Sequence, residues 1–171
     1  EFEKCVELAK DLNCSHVEIP VDLFLGKHLV GLEDAVAYAH ECGVGLFPAL
    51  ESFDDASLGL TIKALAKCGF TNVRIKMPQS MPVVYGGNRF EKGSLYTDCV
   101  VFRRLLDKWC PVAKDHGLRF SIENHQDLTA LELRKLCADR RQWDLSINWD
   151  VGNSYATLDS PEFFWDVCNE F

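Results

Sequence analysis

Nothing in these 171 residues approaches the ~20-residue apolar run that a membrane span requires, so no transmembrane segment is expected. Positive charge is scarce: 18 basic residues face 26 acidic ones, the net charge is −8, and no Lys/Arg run exceeds Arg140-Arg141. A duplex-binding protein draws most of its affinity from phosphate contacts on a basic face, so nucleic acid is excluded as a partner. The eight cysteines form no CxxC pair and no zinc-finger spacing. Several sit near the ends of helical patterns, as small half-buried hydrophobes do, and they read as reduced thiols in a cytoplasmic protein. An initiator methionine and a signal peptide are also missing from the sequence. It opens directly in a helical pattern (Phe2, Cys5, Leu8, Ala9, Leu12) and closes as abruptly on Phe163-Phe164-Trp165-Asp166-Val167-Cys168. The expectation is a domain cut from something longer.

What the chain does have is enough apolar material for a core: 47% hydrophobic residues, with 11 Phe and 4 Trp. Residues 1–171 read as one domain built from a repeated unit, an amphipathic helix followed by a short strand. The first helix leads to His16-Val17-Glu18-Ile19-Pro20. The second (Leu32, Ala35, Val36, Ala39) leads through Gly43 to Val44–Leu50. The third (Leu58, Ile62, Leu65) leads through Gly69 to Asn72–Met77. The fourth (Phe102, Leu105, Leu106, Trp109, Val112, Ala113) leads through Gly117 to Phe120–Glu123. Each of these glycines falls where a helix C-cap belongs. Thr129-Ala130-Leu131-Glu132 is a capping-box pattern opening a fifth helix, which feeds the strand Leu145–Val151. Ser160-Pro161 opens a sixth.

Alternation of helix and strand implies a parallel sheet, either doubly wound or closed into a barrel. Side-chain parity separates the two. Val17 and Ile19 alternate with His16 and Glu18; Val73, Ile75 and Met77 with Arg74 and Lys76. Phe120 and Ile122 alternate with Ser121, Glu123 and His125; Leu145, Ile147, Trp149 and Val151 with Ser146, Asn148 and Asp150. A doubly wound sheet is covered on both faces and reads as continuous Val/Ile/Leu. One apolar and one polar face instead suits a barrel whose polar interior is a working cavity. The expected fold is therefore α/β, a (β/α)₈ TIM barrel. Since a complete barrel takes ~250 residues, it is incomplete, with about five strands and six helices. The connection from Pro78 to about Tyr96, with Pro82, Gly86, Gly87 and Gly93, has no periodicity. It reads as an active-site loop or equally as a surface excursion.

Chemistry concentrates at Glu123 and Asp150. Both end strand patterns on the polar parity, and one β-α-β unit separates them, so both acids emerge at one edge of a parallel sheet. Neighbouring strands lie ~4.8 Å apart, close enough for two carboxylates to share a divalent cation. The plainer alternative is that each acid caps a helix or pairs with a lysine. His125 and Asn153 are candidates to contact substrate, or simply loop residues. His16, Glu18, Arg74 and Lys76 are candidates to bind hydroxyls or a phosphate. Asn124, of opposite parity, reads as a chain-turning residue, and Trp149 as one packed against helices.

The stretch Ile122-Glu123-Asn124-His125-Gln126-Asp127-Leu128-Thr129, followed by Trp149-Asp150-Val151-Gly152-Asn153, resembles the sugar phosphate isomerase/epimerase group of the xylose isomerase-like TIM-barrel superfamily. The resemblance implies a single divalent metal held by Glu, Asp, His and Glu from the last four barrel strands. Glu123 would be the first ligand and Asp150 the second, with the others on strands beyond Phe171. Manganese is the first choice, with magnesium, cobalt or zinc as alternatives. It further implies carbohydrate metabolism, with proton transfer next to a carbonyl through an enediolate. Glu123 would be both ligand and general base. The chain departs from the pattern at Asn153, where many relatives have histidine, which leaves the substrate class open. Competing readings are a metal-dependent dehydratase or keto-glycoside lyase, and a non-catalytic incomplete barrel binding a sugar or a partner subunit. A homo-oligomer is allowed by all of them.

Overall fold

Four helices of the chain end in the same way, and those endings set its rhythm. Gly43, Gly69 and Gly117 adopt φ of +73°, +81° and +75°. This left-handed conformation costs glycine nothing but strains a residue with a Cβ. In each case the glycine N–H and the next N–H turn back onto the helix: Gly43 to His40 O at 3.0 Å and Val44 to Ala39 O at 2.9 Å, with the same pair at Gly69 and Gly117. Orphan carbonyls are thereby satisfied and the chain is aimed into the following strand. The first helix makes the same closure with Asn13 at φ 54°, since asparagine also tolerates this region.

The computed structural model describes residues 1–24, 30–78 and 94–171. Most of the expected active-site loop, with Pro82, Gly86, Gly87 and Gly93, lies outside the described residues. The elements run α1 (Phe2–Asp11), β1 (His16–Pro20), α2 (Val30–Glu41), β2 (Gly45–Leu50), α3 (Leu58–Lys67), β3 (Asn72–Ile75), α4 (Ser94–Asp115), β4 (Arg119–Glu123), α5 (Ala130–Ala138), β5 (Ser146–Asn148), α6 (Val151–Ser154) and α7 (Pro161–Cys168). None of the described helices is long and apolar enough to cross a membrane.

The five strands among the described residues are parallel and lie in chain order, β1-β2-β3-β4-β5. A doubly wound sheet reverses its strand order at a switch point; this sheet has none and is the wall of an incomplete TIM barrel. Val73, Ile75, Phe120 and Ile122 pack outward with Phe102 and Leu106 of α4 and Leu133 and Leu136 of α5. Phe53 wedges between Phe102 and Phe120, edge to face, with centroids at 5.7 and 5.4 Å. Burying each such side chain contributes about 1.5–3 kcal/mol. The opposite face is polar, as parity anticipates. There Ser121 Oγ donates to Asn72 Oδ1 at 2.7 Å and lies 2.7 Å from Ser146 Oγ.

The capping box at Thr129 and Glu132 forms, and Ser160 caps α7 with Pro161 in the first turn. Trp149 stacks on Phe164 of α7 at 5.3 Å and 6° between planes, so it packs against a helix as expected. Two details differ from the sequence reading. The last strand stops at Asn148 rather than Val151, and the described residues hold seven α-helices, the extra one being the single turn α6. Asp150 causes both, since its carboxylate accepts the N–H groups of Gly152 and Asn153 and bends the chain into a helical turn. All eight cysteines are free thiols.

Candidate metal centre

Parallel pairing places Glu123, the last residue of β4, opposite Asn148 of β5. Asp150 follows two residues on, at the same C-terminal edge, which is where barrel sites are built. Glu123 is buried and Asp150 exposed. The two are joined by Asn153, whose Nδ2 donates to Asp150 Oδ2 at 3.0 Å and reaches Glu123 Oε1 at 3.4 Å. Those two carboxylate oxygens therefore lie within about 6.5 Å of each other, on either side of one nitrogen.

Each acid has one oxygen engaged elsewhere. Asp150 Oδ1 accepts the N–H of Gly152 at 2.8 Å and of Asn153 at 3.3 Å, so the helix-capping alternative is realised in full. Gly152 permits this close turn, because a Cβ there would stand 3.3 Å from Asp150 Oδ1. Glu123 Oε2 accepts from Arg74 Nη1. The oxygens left facing Asn153 are Oε1 of Glu123 and Oδ2 of Asp150.

Arg74 is the hub behind them. It is only 6% exposed, and its guanidinium also donates to Glu18 through Nε (3.1 Å) and Nη2 (3.0 Å) and to Glu51 through Nη2 (2.6 Å). Burial by itself would lower the pKa of Arg74, but Glu123, Glu18 and Glu51 outweigh it and raise the value further. Lys76 takes the other oxygen of Glu51. The hydrogen bond from Lys76 holds the Glu51 carboxyl below the usual carboxylate range, with Arg74 adding to it, against partial burial. Glu51 is itself fixed by Asp22, which accepts its backbone N–H at 2.6 Å and the Ser52 hydroxyl at 2.9 Å.

The sequence candidates thus divide. Glu18, Lys76, Glu123, Asp150 and Asn153 join one connected polar network, with Arg74 and Lys76 engaged by carboxylates. His125 is half-buried beside it, and its Nδ1 has no hydrogen-bond partner among the described residues. His16 lies apart, at the N-terminal end of β1, with its ring hydrogen-bonded to Ser15 and lying over Gly45. Glu51 and Asp22 are not among the candidates that parity and motif single out, although Glu51 ends an apolar strand just as Glu123 does. Asn124 is more than the chain-turning residue its parity suggests. In the structure Asn124 is buried, donates from Nδ2 to the Asp150 carbonyl at 2.8 Å and accepts the Asp150 N–H at Oδ1 at 2.6 Å.

In donor chemistry the pair suits a hard divalent cation, since both free donors are carboxylate oxygens and both face the same Asn153 amide nitrogen. Among the described residues no group of three or more His, Cys, Asp or Glu is arranged to hold a metal.

No protein-family model matches this sequence, and no curated protein matches it. Solved structures do. A D-psicose 3-epimerase crystallised in the presence of D-fructose aligns with a TM-score of 0.68 at 17% identity, covering 94% of this chain and 61% of that one. The 3-keto-D-glucoside 4-epimerase of E. coli aligns at 0.76 and 15%, covering 99% and 70%. A xylose isomerase-like TIM-barrel protein from Mycobacterium smegmatis, in complex with magnesium, aligns at 0.60 and 16%, covering 89% and 56%. The chain has the fold of the xylose isomerase-like TIM barrels and spans roughly three fifths of their length.

Proposed function

We propose that the chain forms the middle of a divalent-metal-dependent sugar or sugar phosphate isomerase or epimerase, with the remaining staves and ligands on sequence outside these 171 residues. The observation that carries this reading is the meeting of Glu123 Oε1 and Asp150 Oδ2 across Asn153 at adjoining strand ends. The fold supports it, since structural neighbours of the chain include two sugar epimerases. Manganese is the proposed ion, with magnesium, cobalt or zinc as substitutes; two oxygen ligands suit any of these hard or borderline cations. When bound, such an ion polarises a carbonyl and stabilises the negative charge of an enediolate.

The chain's own residues then have distinct tasks. Glu123 is the general base that removes or returns the proton on the carbon next to the carbonyl. Asp150, with its backbone gripped by Asn124, presents one oxygen and keeps the other in its helix cap. Asn153, which touches both acids, Glu18 and Lys76, which are tied to Glu123 through Arg74 and Glu51, and His125, two residues beyond Glu123, are the proposed contacts to sugar hydroxyls. His16, at the far end of β1, drops out of the proposal. A cytoplasmic protein with reduced thiols, open to homo-oligomer formation, remains part of it.

Titration with MnCl2, followed by thermal unfolding, tests the site. The expected result is a rise in midpoint that Glu123→Gln and Asp150→Asn each abolish. The absence of any shift would favour the second reading, a non-catalytic barrel binding a sugar or partner. The specific observation in its favour is that Glu123 is already ion-paired with Arg74. Product analysis on keto-sugars separates epimers from elimination products. Loss of water or of an aglycone would replace the isomerase by a dehydratase or lyase.

A further inference from the structure

We propose that Arg74 is the resident counter-cation of this site: it holds the converging acids together by itself and thereby sets how tightly a divalent ion is held. The inference rests on the reading that Glu123 and Asp150 are cation ligands.

The carboxylates of Glu18 on β1, Glu51 after β2 and Glu123 on β4 come from three parts of the barrel wall, and one buried guanidinium meets them all. Nε, Nη1 and Nη2 are all engaged. An arginine fork does this readily, while a lysine ammonium is a single point. With Asp22, which holds Glu51, and with Asp150, the described part of the network sets five acids against Arg74 and Lys76, an excess of three negative charges that a divalent ion would reduce. Arg74 thus stands beside the ion's place with a charge of the same sign. It also keeps Oε2 of Glu123, leaving Oε1 alone to face Asn153.

Two consequences follow, of opposite sign. Without Arg74 the acids lose their compensating charge, and the metal-free chain is less stable. The same change removes repulsion of an incoming dication and frees the second Glu123 oxygen, so the ion binds more tightly. A residue that merely propped Glu123 in place would, on removal, lower both stability and affinity. The opposed signs are the signature of a counter-cation.

The experiment compares the parent chain, Arg74→Met and Arg74→Lys by calorimetric titration with MnCl2 and by urea unfolding with and without the ion. Arg74→Met is expected to unfold at lower urea without metal, to bind Mn²⁺ about tenfold more tightly, and to gain more stability from it than the parent does. Arg74→Lys keeps the charge but not the fork, and its affinity falls between the two. Binding by Arg74→Met alone also supports the proposal. Unchanged or weaker binding in Arg74→Met, where the parent binds, overturns the counter-cation role and leaves the site reading standing. No binding by any of the three chains overturns both. Should Arg74→Met fail to fold, Arg74→Lys decides: tighter binding than the parent supports the role, and equal or weaker binding ends it.

Discussion

Asn124 grips Asp150 by its peptide backbone on both sides, accepting its N–H at 2.6 Å and donating to its carbonyl at 2.8 Å. One side chain at the end of β4 thus imitates a strand residue and fixes where the chain leaves β5. Asn124→Ala removes both bonds, and a third to Ser154 Oγ at 3.3 Å, from a buried position and is expected to cost about 2 kcal/mol in urea unfolding. Because Asp150 is then free to shift, the response to MnCl2 should weaken as well. A variant as stable and as responsive as the parent would show the grip to be incidental.

Acid should loosen the lumen in a defined direction. The Glu51 carboxyl sits below its ordinary value of 4.5, chiefly through the hydrogen bond from Lys76. The folded chain therefore holds that proton less readily than the unfolded one. The resulting stabilisation is fully present above pH about 4.5 and fades as the pH falls through the lowered native value. Glu51→Gln should flatten this part of the stability-against-pH curve. Glu51 is 43% exposed, so solvent screens the interaction and the change is modest. Parallel curves for parent and variant would rule the effect out.

The thiols should separate into two classes. Burial pushes Cys110, Cys137 and Cys168 up to about 12, so almost none of each is the reactive thiolate at neutral pH. Cys5 and Cys14 are exposed on and after α1. Brief iodoacetamide treatment of the native chain, read by peptide mass spectrometry, should mark Cys5 and Cys14 and spare the buried three until urea is added. Early alkylation of Cys110 would contradict the packing of α4.

A Cβ on Gly45 would lie 2.4 Å from His16 Cδ2, so the imidazole occupies the space of the absent side chain. Gly45→Ala should destabilise by about 1–2 kcal/mol and recover much of that loss alongside His16→Ala. Neither change should alter the midpoint shift with MnCl2, since the pair lies at the opposite end of β1 from the acids. A lost shift in His16→Ala would return that histidine to the site.

Local chemistry made much of this architecture legible. His16–Pro20 has the predicted strand limits, Gly43, Gly69 and Gly117 take the left-handed turn, and Thr129 with Glu132 closes the capping box. Each of these depends on residues within a few positions of one another. Side-chain parity likewise marks the inner face as polar, and Arg74, Ser121 and Glu123 lie buried there. Arg74 was harder: its partners Glu18 and Glu123 lie 56 and 49 positions away, and alternation reveals which face a charge occupies but not what neutralises it. Asn124 misled because its parity was judged by strand geometry, whereas its side chain works beyond the strand end. Asp150 was foreseen as an acid at the rim. That one of its oxygens would start α6 was the plainer alternative, and it shortened the strand.

The two surfaces of the wall divide cohesion from chemistry. Apolar adhesion lies outside, where α4 and α5 clasp the strands through Phe102, Leu106, Leu133 and Leu136. The inner surface is lined instead by serine, asparagine and interlocked charges. A lineage could therefore rewrite the inside residue by residue, exchanging one polar partner for another, while the clasp outside kept the vessel standing.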